Sequence, residues 1–223
     1  MTKTYLAAAA VIVAMATGAQ AATVTLTTVD DGLTGQNVVM QLPTVTNGTA
    51  IGVAQSGSLL SNGIFEFDLS SIGAGATINS VSFTWTNTRF ISNTGGNPAQ
   101  VDLFAFAGDG SVTDSDHTTA GVQVADTSVP GGGSAGDTDT VSFADLSVFP
   151  GALTAGFLTL RFETDSFASI NVAALENTTF DAARLTVDFT PGTTPPAVPL
   201  PAGLPLMLAG LGAFAWVRRR QQG

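Results

Sequence analysis

Residues 65–86 read FEFDLSSIGAGATINSVSFTWT, and the spacing of apolar residues within them decides the fold. Phe65, Phe67 and Leu69 alternate with Glu66 and Asp68, and Val81, Phe83 and Trp85 alternate with Ser82, Thr84 and Thr86. A period of two sends successive side chains to opposite faces of an extended chain, so each run is a half-buried strand with one wet face. Gly73-Ala74-Gly75 between them is a turn.

The same alternation continues outward. Leu158, Leu160 and Phe162 alternate with Thr159, Arg161 and Glu163, and Leu185, Val187 and Phe189 with Thr186 and Asp188. Residues 101–107 are apolar on both faces, which predicts a central strand. Turn clusters stand at Asn62-Gly63, 93–98, 130–133 and Pro150-Gly151. Residues 145–149 allow one short turn, and no long helical periodicity interrupts the body. Short strands with this punctuation predict a single all-β domain over residues 22–190, a β-sandwich of jelly-roll-like type. Residues 191–197 then form an extended Pro/Thr linker.

Composition narrows the chemistry. The 223 residues include no Cys and one His, so thiolate nucleophiles, disulfides and multi-histidine metal sites are excluded. Seventeen Asp and Glu stand against seven Lys and Arg, which disfavours nucleic acid as a partner.

The two ends read as addresses. Lys3, an apolar run and the small-x-small site Ala19-Gln20-Ala21 predict a signal peptide over residues 1–21, cut by signal peptidase after Ala21. Near the other end, residues 203–217 read GLPLMLAGLGAFAWV and precede Arg218, Arg219 and Arg220. As a helix this run spans about 22 Å, short of a bilayer core of about 30 Å. Pro199, Pro201 and Pro205 break its first turn. The Arg cluster favours the cytoplasmic side, which leaves the body outside. Without both ends the body keeps Arg89, Arg161 and Arg184 against all 17 acids, a net charge of −14.

Val198-Pro199-Leu200-Pro201-Ala202, the apolar run and Arg218 to Arg220 together resemble the VPLPA-CTERM sorting signal, a variant of PEP-CTERM tails, over residues 198–223. The resemblance implies recognition by an exosortase-type enzyme, cleavage near the motif, and delivery to the cell surface or extracellular exopolysaccharide matrix. The membrane would be met only through the C-terminal transmembrane helix before processing. Residues 65–86, with Phe-Asp-Leu-Ser, a Gly-Ala-Gly turn and Ile-Asn-Ser-Val, resemble DNRLRE-type domains. That implies a jelly-roll module related to carbohydrate-binding folds.

Within the body, Asp109, Asp114 and Asp116 lie in GDGSVTDSD with Gly110 at a tight turn. Clustered carboxylates suit a hard cation, so Ca²⁺ is the one cofactor this loop suggests, with help from Asp102, Asp137 or Asp139. The segment resembles the second half of an EF-hand loop, but Ala105 and Ala107 occupy the first ligand positions. Gly132 to Gly136 match G-x-S-x-G, yet the only His, His117, precedes Ser134 rather than following it. No catalytic residues are assigned. Trp85 alternates in phase with Val81 and Phe83 and is expected in the core, leaving no aromatic platform for a sugar. The expectation is a non-enzymatic exported protein with a structural or adhesive role. Its alternative is a Ca²⁺-dependent carbohydrate-binding module that engages exopolysaccharide.

Overall fold

The structure is a computed structural model and describes residues 20–37, 44–56, 59–89, 92–93, 99–129, 134–164 and 168–192. The chain divides into two compact units, Met1–Gly192 and Thr193–Gly223. Most of the signal segment with Ala19, the sorting motif Val198 to Ala202, the apolar run and Arg218 to Arg220 lie outside the described residues, as does the second unit.

Among the described residues, twelve strands carry the first unit: β1 (Ala22–Asn37), β2 (Thr44–Thr46), β3 (Ala50–Ser56), β4 (Leu59–Asp68), β5 (Thr77–Thr86), β6 (Ser92–Asn93), β7 (Ala99–Ala107), β8 (Val122–Val129), β9 (Thr138–Ser142), β10 (Phe157–Thr164), β11 (Ala168–Ala173) and β12 (Arg184–Thr190). Every pairing between them is antiparallel. The fold is all-β and sandwich-like. The first sheet runs β9-β5-β12 and ends on residues 22–27 of β1. The second runs from residues 28–37 of β1 through β4, β10 and β7 to β8. Beside its outer end lie β2, and the pair β3 and β11 extended by β6.

β1 belongs to both sheets. Between Thr28 and Asp30 the register slips, leaving Val29 unpaired and 45% exposed. A bulge of this kind bends a strand, and here the bend carries β1 from one layer to the other. On the opposite side the Ala144 amide donates to the Val124 carbonyl at 2.7 Å, drawing the end of β9 to β8.

The inner faces meet in an aromatic cluster. Phe83 lies 5.3 Å from Phe65, 5.5 Å from Trp85 and 6.3 Å from both Phe67 and Phe162, centroid to centroid. These are the alternating positions that the sequence assigns to the core, and Trp85 is among them. Strand β7 is central as expected, flanked by β10 and β8.

Two local readings are corrected. Asn62-Gly63 is not a turn but lies within β4. A Cβ on Gly63 would come within 3.0 Å of Ile51 and 3.1 Å of Val53, so the glycine admits close packing rather than reversing the chain. Pro150-Gly151 is not a simple turn but opens α1 (Phe149–Ala155). Proline suits the first helical turn because the amide it lacks would have no intrahelical acceptor there.

The outer face of the first sheet is a hydroxyl lattice. Thr25, Thr186, Ser82 and Ser142 stand in one cross-strand row. Thr27, Arg184, Thr84 and Thr140 form the next row, and Thr23, Asp188 and Ser80 another. Nothing described packs over them, so this face is wet.

Phe83→Ala empties the centre of the aromatic cluster. Urea unfolding is expected to show a loss of about 3–5 kcal/mol, the usual cost of deleting a buried phenyl ring.

Candidate functional site

The second sheet departs from the expected wet face. On strands β4 and β10, Glu66 faces Thr159 and Ile64 faces Arg161 across the ladder; on β7, Phe104 faces Arg161 and Phe106 faces Thr159. All six are on the outer side, yet Glu66 is only 1% and Arg161 8% exposed. The segment 108–121 between β7 and β8 folds back as a strap over them.

Arg161 holds the strap. Its Nη1 donates to the carbonyls of Asp116 at 3.1 Å and Thr119 at 2.6 Å. Its guanidinium lies 5.2 Å from the Phe104 ring centroid and 6.0 Å from that of Phe106. Its Nε donates to Glu163, whose Oε1 also accepts from Asn62 Nδ2 at 3.2 Å. A planar, weakly hydrated cation with a fixed fork of donors suits this mixture of carbonyls, carboxylate and ring faces.

The strap is ordered from within by a 3₁₀ turn (Asp114–His117). Asp116 Oδ2 accepts from the Thr113 amide at 2.7 Å and from its hydroxyl at 3.1 Å, which closes a capping box. His117 Nδ1 shares a hydrogen bond of 3.1 Å with Thr34 Oγ1 on β1. The Val112 amide donates to Asp30 Oδ2 at 2.8 Å, beside the β1 bulge. Gly108 opens the strap directly over Glu66. A Cβ there would stand 2.4 Å from Glu66 Oε2 and 2.7 Å from Thr159 Oγ1, closer than any side chain tolerates.

Three of the groups that titrate away from their ordinary values do so chiefly because they are buried. Burial pushes Glu66 up to about 7, against the Thr159 hydroxyl and the Gly110 amide, and the charges of Asp116 and Asp109 add to the rise. Burial likewise lifts Asp31 to about 6. The Leu175 amide opposes that rise at 2.8 Å, and the Glu176 charge reinforces it. Burial lowers His117; Glu163 opposes this and Arg161 reinforces it. Glu66 therefore holds a proton near neutrality, which lets a carboxyl sit without a cation beside Thr159.

Of the carboxylates singled out by sequence, Asp109 is exposed, with Oδ1 accepting from the Ser111 amide at 3.0 Å. Asp114 is exposed at the start of the 3₁₀ turn, while Asp116 is buried as its cap. Asp137 Oδ2 accepts from the Ser134 amide at 2.7 Å, and Asp139 Oδ2 from Asn87 Nδ2 at 2.8 Å. Asp102 accepts from Gln123 at 2.8 Å. Among the described residues, no group of three His, Asp or Glu is placed to hold a metal ion. A separate cleft of about 240 Å³ lies between the start of β5 and α1, and Ile78, Leu146, Phe149 and Leu153 give it an apolar wall.

No family model matches the chain, and no curated protein matches it. Sequence reasoning missed the cluster around Arg161, because its members alternate like any solvated strand face. The one available signal was Phe104 and Phe106, apolar residues on the face that Arg161 shares.

Two measurements test this cluster. Arg161→Met leaves Glu163 and two carbonyls without their donor; unfolding is expected to cost about 3–5 kcal/mol less than in wild type, with amide exchange rising first in residues 108–121. The second concerns protons. Glu66 binds its proton more tightly folded than unfolded, so the stability it contributes is full below pH 4.5 and lost as pH rises to about 7. Asp31 acts in the same direction between 3.8 and about 6, and His117 in the opposite one. Between pH 4.5 and 7.5, wild type is expected to lose about 3 kcal/mol more than Glu66→Gln. Parallel stability–pH curves for the two would contradict this assignment.

Proposed function

We propose that the chain is an exported, non-catalytic protein of the cell surface or extracellular matrix, processed by signal peptidase and then by an exosortase-type enzyme. The observation that carries the reading is the ordered C-terminal set: Val198 to Ala202, the apolar run 203–217, and Arg218 to Arg220. The set is paired with Lys3, an apolar stretch and Ala19-Gln20-Ala21 at the other end. Among the described residues no helix is long and apolar enough to cross a membrane; the run 203–217 lies outside them.

The body is compatible with this itinerary. β1 begins at Ala22, the residue after the expected cleavage bond, and Ala22 pairs with Phe189 near the end of β12. Gln20 and Ala21 are exposed, so the bond is accessible beside the folded domain. The first strand therefore starts, and the last described strand ends, on one side of the first sheet, and a cut after Ala21 removes none of the described strands. We take the sandwich as jelly-roll-like and of the DNRLRE type on the strength of residues 65–86. A structural or adhesive role is preferred to Ca²⁺-dependent glycan binding because Asp109 and Asp116 are engaged in the strap's own turns.

Intact mass of the protein recovered from its host, fraction by fraction, tests the reading. The expected product begins at Ala22, ends near Pro201 or Ala202, and sits in the outer or extracellular fraction. A full-length C-terminus retained in the inner membrane would make it a tail-anchored domain and remove the matrix role.

A further inference from the structure

Two Asn-Gly pairs occur in the chain, Asn47-Gly48 and Asn62-Gly63. The dipeptide has a chemistry of its own. The backbone nitrogen after an asparagine can close a five-membered ring on the side-chain amide carbon, and an intramolecular attack of this kind has a high effective concentration. Glycine leaves that nitrogen open to approach, because no Cβ stands beside it. Whether the ring closes depends on how the fold holds the two residues, and the two pairs are held in opposite ways.

Asn62-Gly63 is locked. Gly63 stands in β4 opposite Leu33 on one side and Phe162 on the other, so its backbone is extended within two ladders. Asn62 is 1% exposed, and its Nδ2 donates to Glu163 Oε1 at 3.2 Å. Turning the Gly63 nitrogen onto the Asn62 side chain would break the sheet. Asn47-Gly48 lies instead in the connection between β2 and β3, and both residues are exposed. Neither the Asn47 side chain nor the Gly48 amide has a hydrogen-bond partner among the described residues. The nearest atom to a Cβ added at Gly48 is the Ala50 carbonyl oxygen at 4.0 Å, so the tip has room to rearrange. Its flanks are fixed: Thr46 pairs with Leu33, and the Thr49 carbonyl accepts from Asn177 Nδ2 at 2.7 Å. Every other asparagine among the described residues precedes Val, Ser or Thr, whose side chains shield the following nitrogen.

We propose that Asn47 is a site of spontaneous deamidation and that strand β4 protects Asn62 from the same reaction. The Gly48 nitrogen gives up its proton and bonds to Asn47 Cγ. The Cγ–Nδ2 bond breaks, and the side-chain nitrogen leaves as ammonia with that proton. The cyclic imide then takes up one water. Opening at Cγ leaves aspartate at position 47; opening at the backbone carbonyl carbon leaves isoaspartate, with the chain running through the former side chain. Both products carry one more negative charge, and the isomer adds one backbone atom to a turn whose two ends are fixed. Water is the only co-reactant, so the extent of reaction grows with time and with pH. This goes beyond the sorting reading and does not depend on it.

The full chain, purified in a non-ionic detergent, is aged at pH 7 and at pH 8, then digested in acid and mapped by peptide mass spectrometry. The peptide that holds Asn47 is expected to gain about 1 Da, as a hydroxyl replaces the amino group, and to separate into aspartate and isoaspartate forms. The peptide that holds Asn62 is expected to keep its mass in the folded protein and to react as Asn47 does in denaturing urea. The rate at Asn47 is expected to rise about tenfold between the two pH values, as does the deprotonated fraction of a group that titrates far above both. Gly48→Ala fits the open space and is expected to slow the reaction about tenfold or more, because its methyl crowds the attacking nitrogen. Melting temperatures check that the variant is folded. Asn47 left intact at pH 8 while a synthetic peptide of residues 44–50 deamidates would overturn the proposal. So would equal rates at Asn47 and Asn62 in the folded protein, or a Gly48→Ala variant that reacts as fast as wild type.

Discussion

A buried guanidinium constrains the second layer of this protein. Desolvating a cation costs several kcal/mol unless its donors and its charge are both met. Arg161 is met by Glu163, by two strap carbonyls and by two phenyl faces. Each partner then carries its own requirement. The carbonyls of Asp116 and Thr119 must be presented inward, which the capping box around Thr113 and Asp116 achieves. The strap must leave β7 over Glu66, which only a residue without Cβ at 108 permits. Glu66 in turn sits without a cation because it is protonated near neutrality.

The two outer faces resolve the same geometric problem in opposite ways. Each sheet has one side on the aromatic core around Phe83. The first sheet leaves its other side to water with small hydroxyl residues, which hydrogen-bond across strands and add little bulk. The second carries Phe104, Phe106 and Ile64 on its outer side, a combination that water does not tolerate as a patch. Covering them brings Glu66 and Arg161 out of water too, and the polar network follows from that burial. Of the acidic residues, Asp188 alone stands in the described rows of the hydroxyl face.

Much of the fold was legible in the residues. Alternation at Phe65 and Phe67, at Val81, Phe83 and Trp85, and at Leu185 and Val187 specifies strand type and core face, because a period of two leaves no choice of side. Asn62-Gly63 misled because the dipeptide that favours turns also admits close packing inside a strand; the distinction lies in Ile51 and Val53, which come from another strand. Pro150 misled because proline is compatible both with turns and with the first turn of a helix. Among the candidate metal ligands, Asp116 has a structural role that local sequence does not reveal: its carboxylate caps the 3₁₀ turn of the strap.

Local sequence by itself determined that this body is built of strands and which side of most of them faces the core. Those properties depend on nearest neighbours along the chain, on periodicity and on apolar length. The tertiary structure alone decided that β1 serves two sheets, that the hydroxyl rows of four strands come into register, and that Glu66 and Arg161 lie buried under a strap. Burial of an outer face depends on what packs over it, and the segment that does so here lies tens of residues away from each of them in sequence.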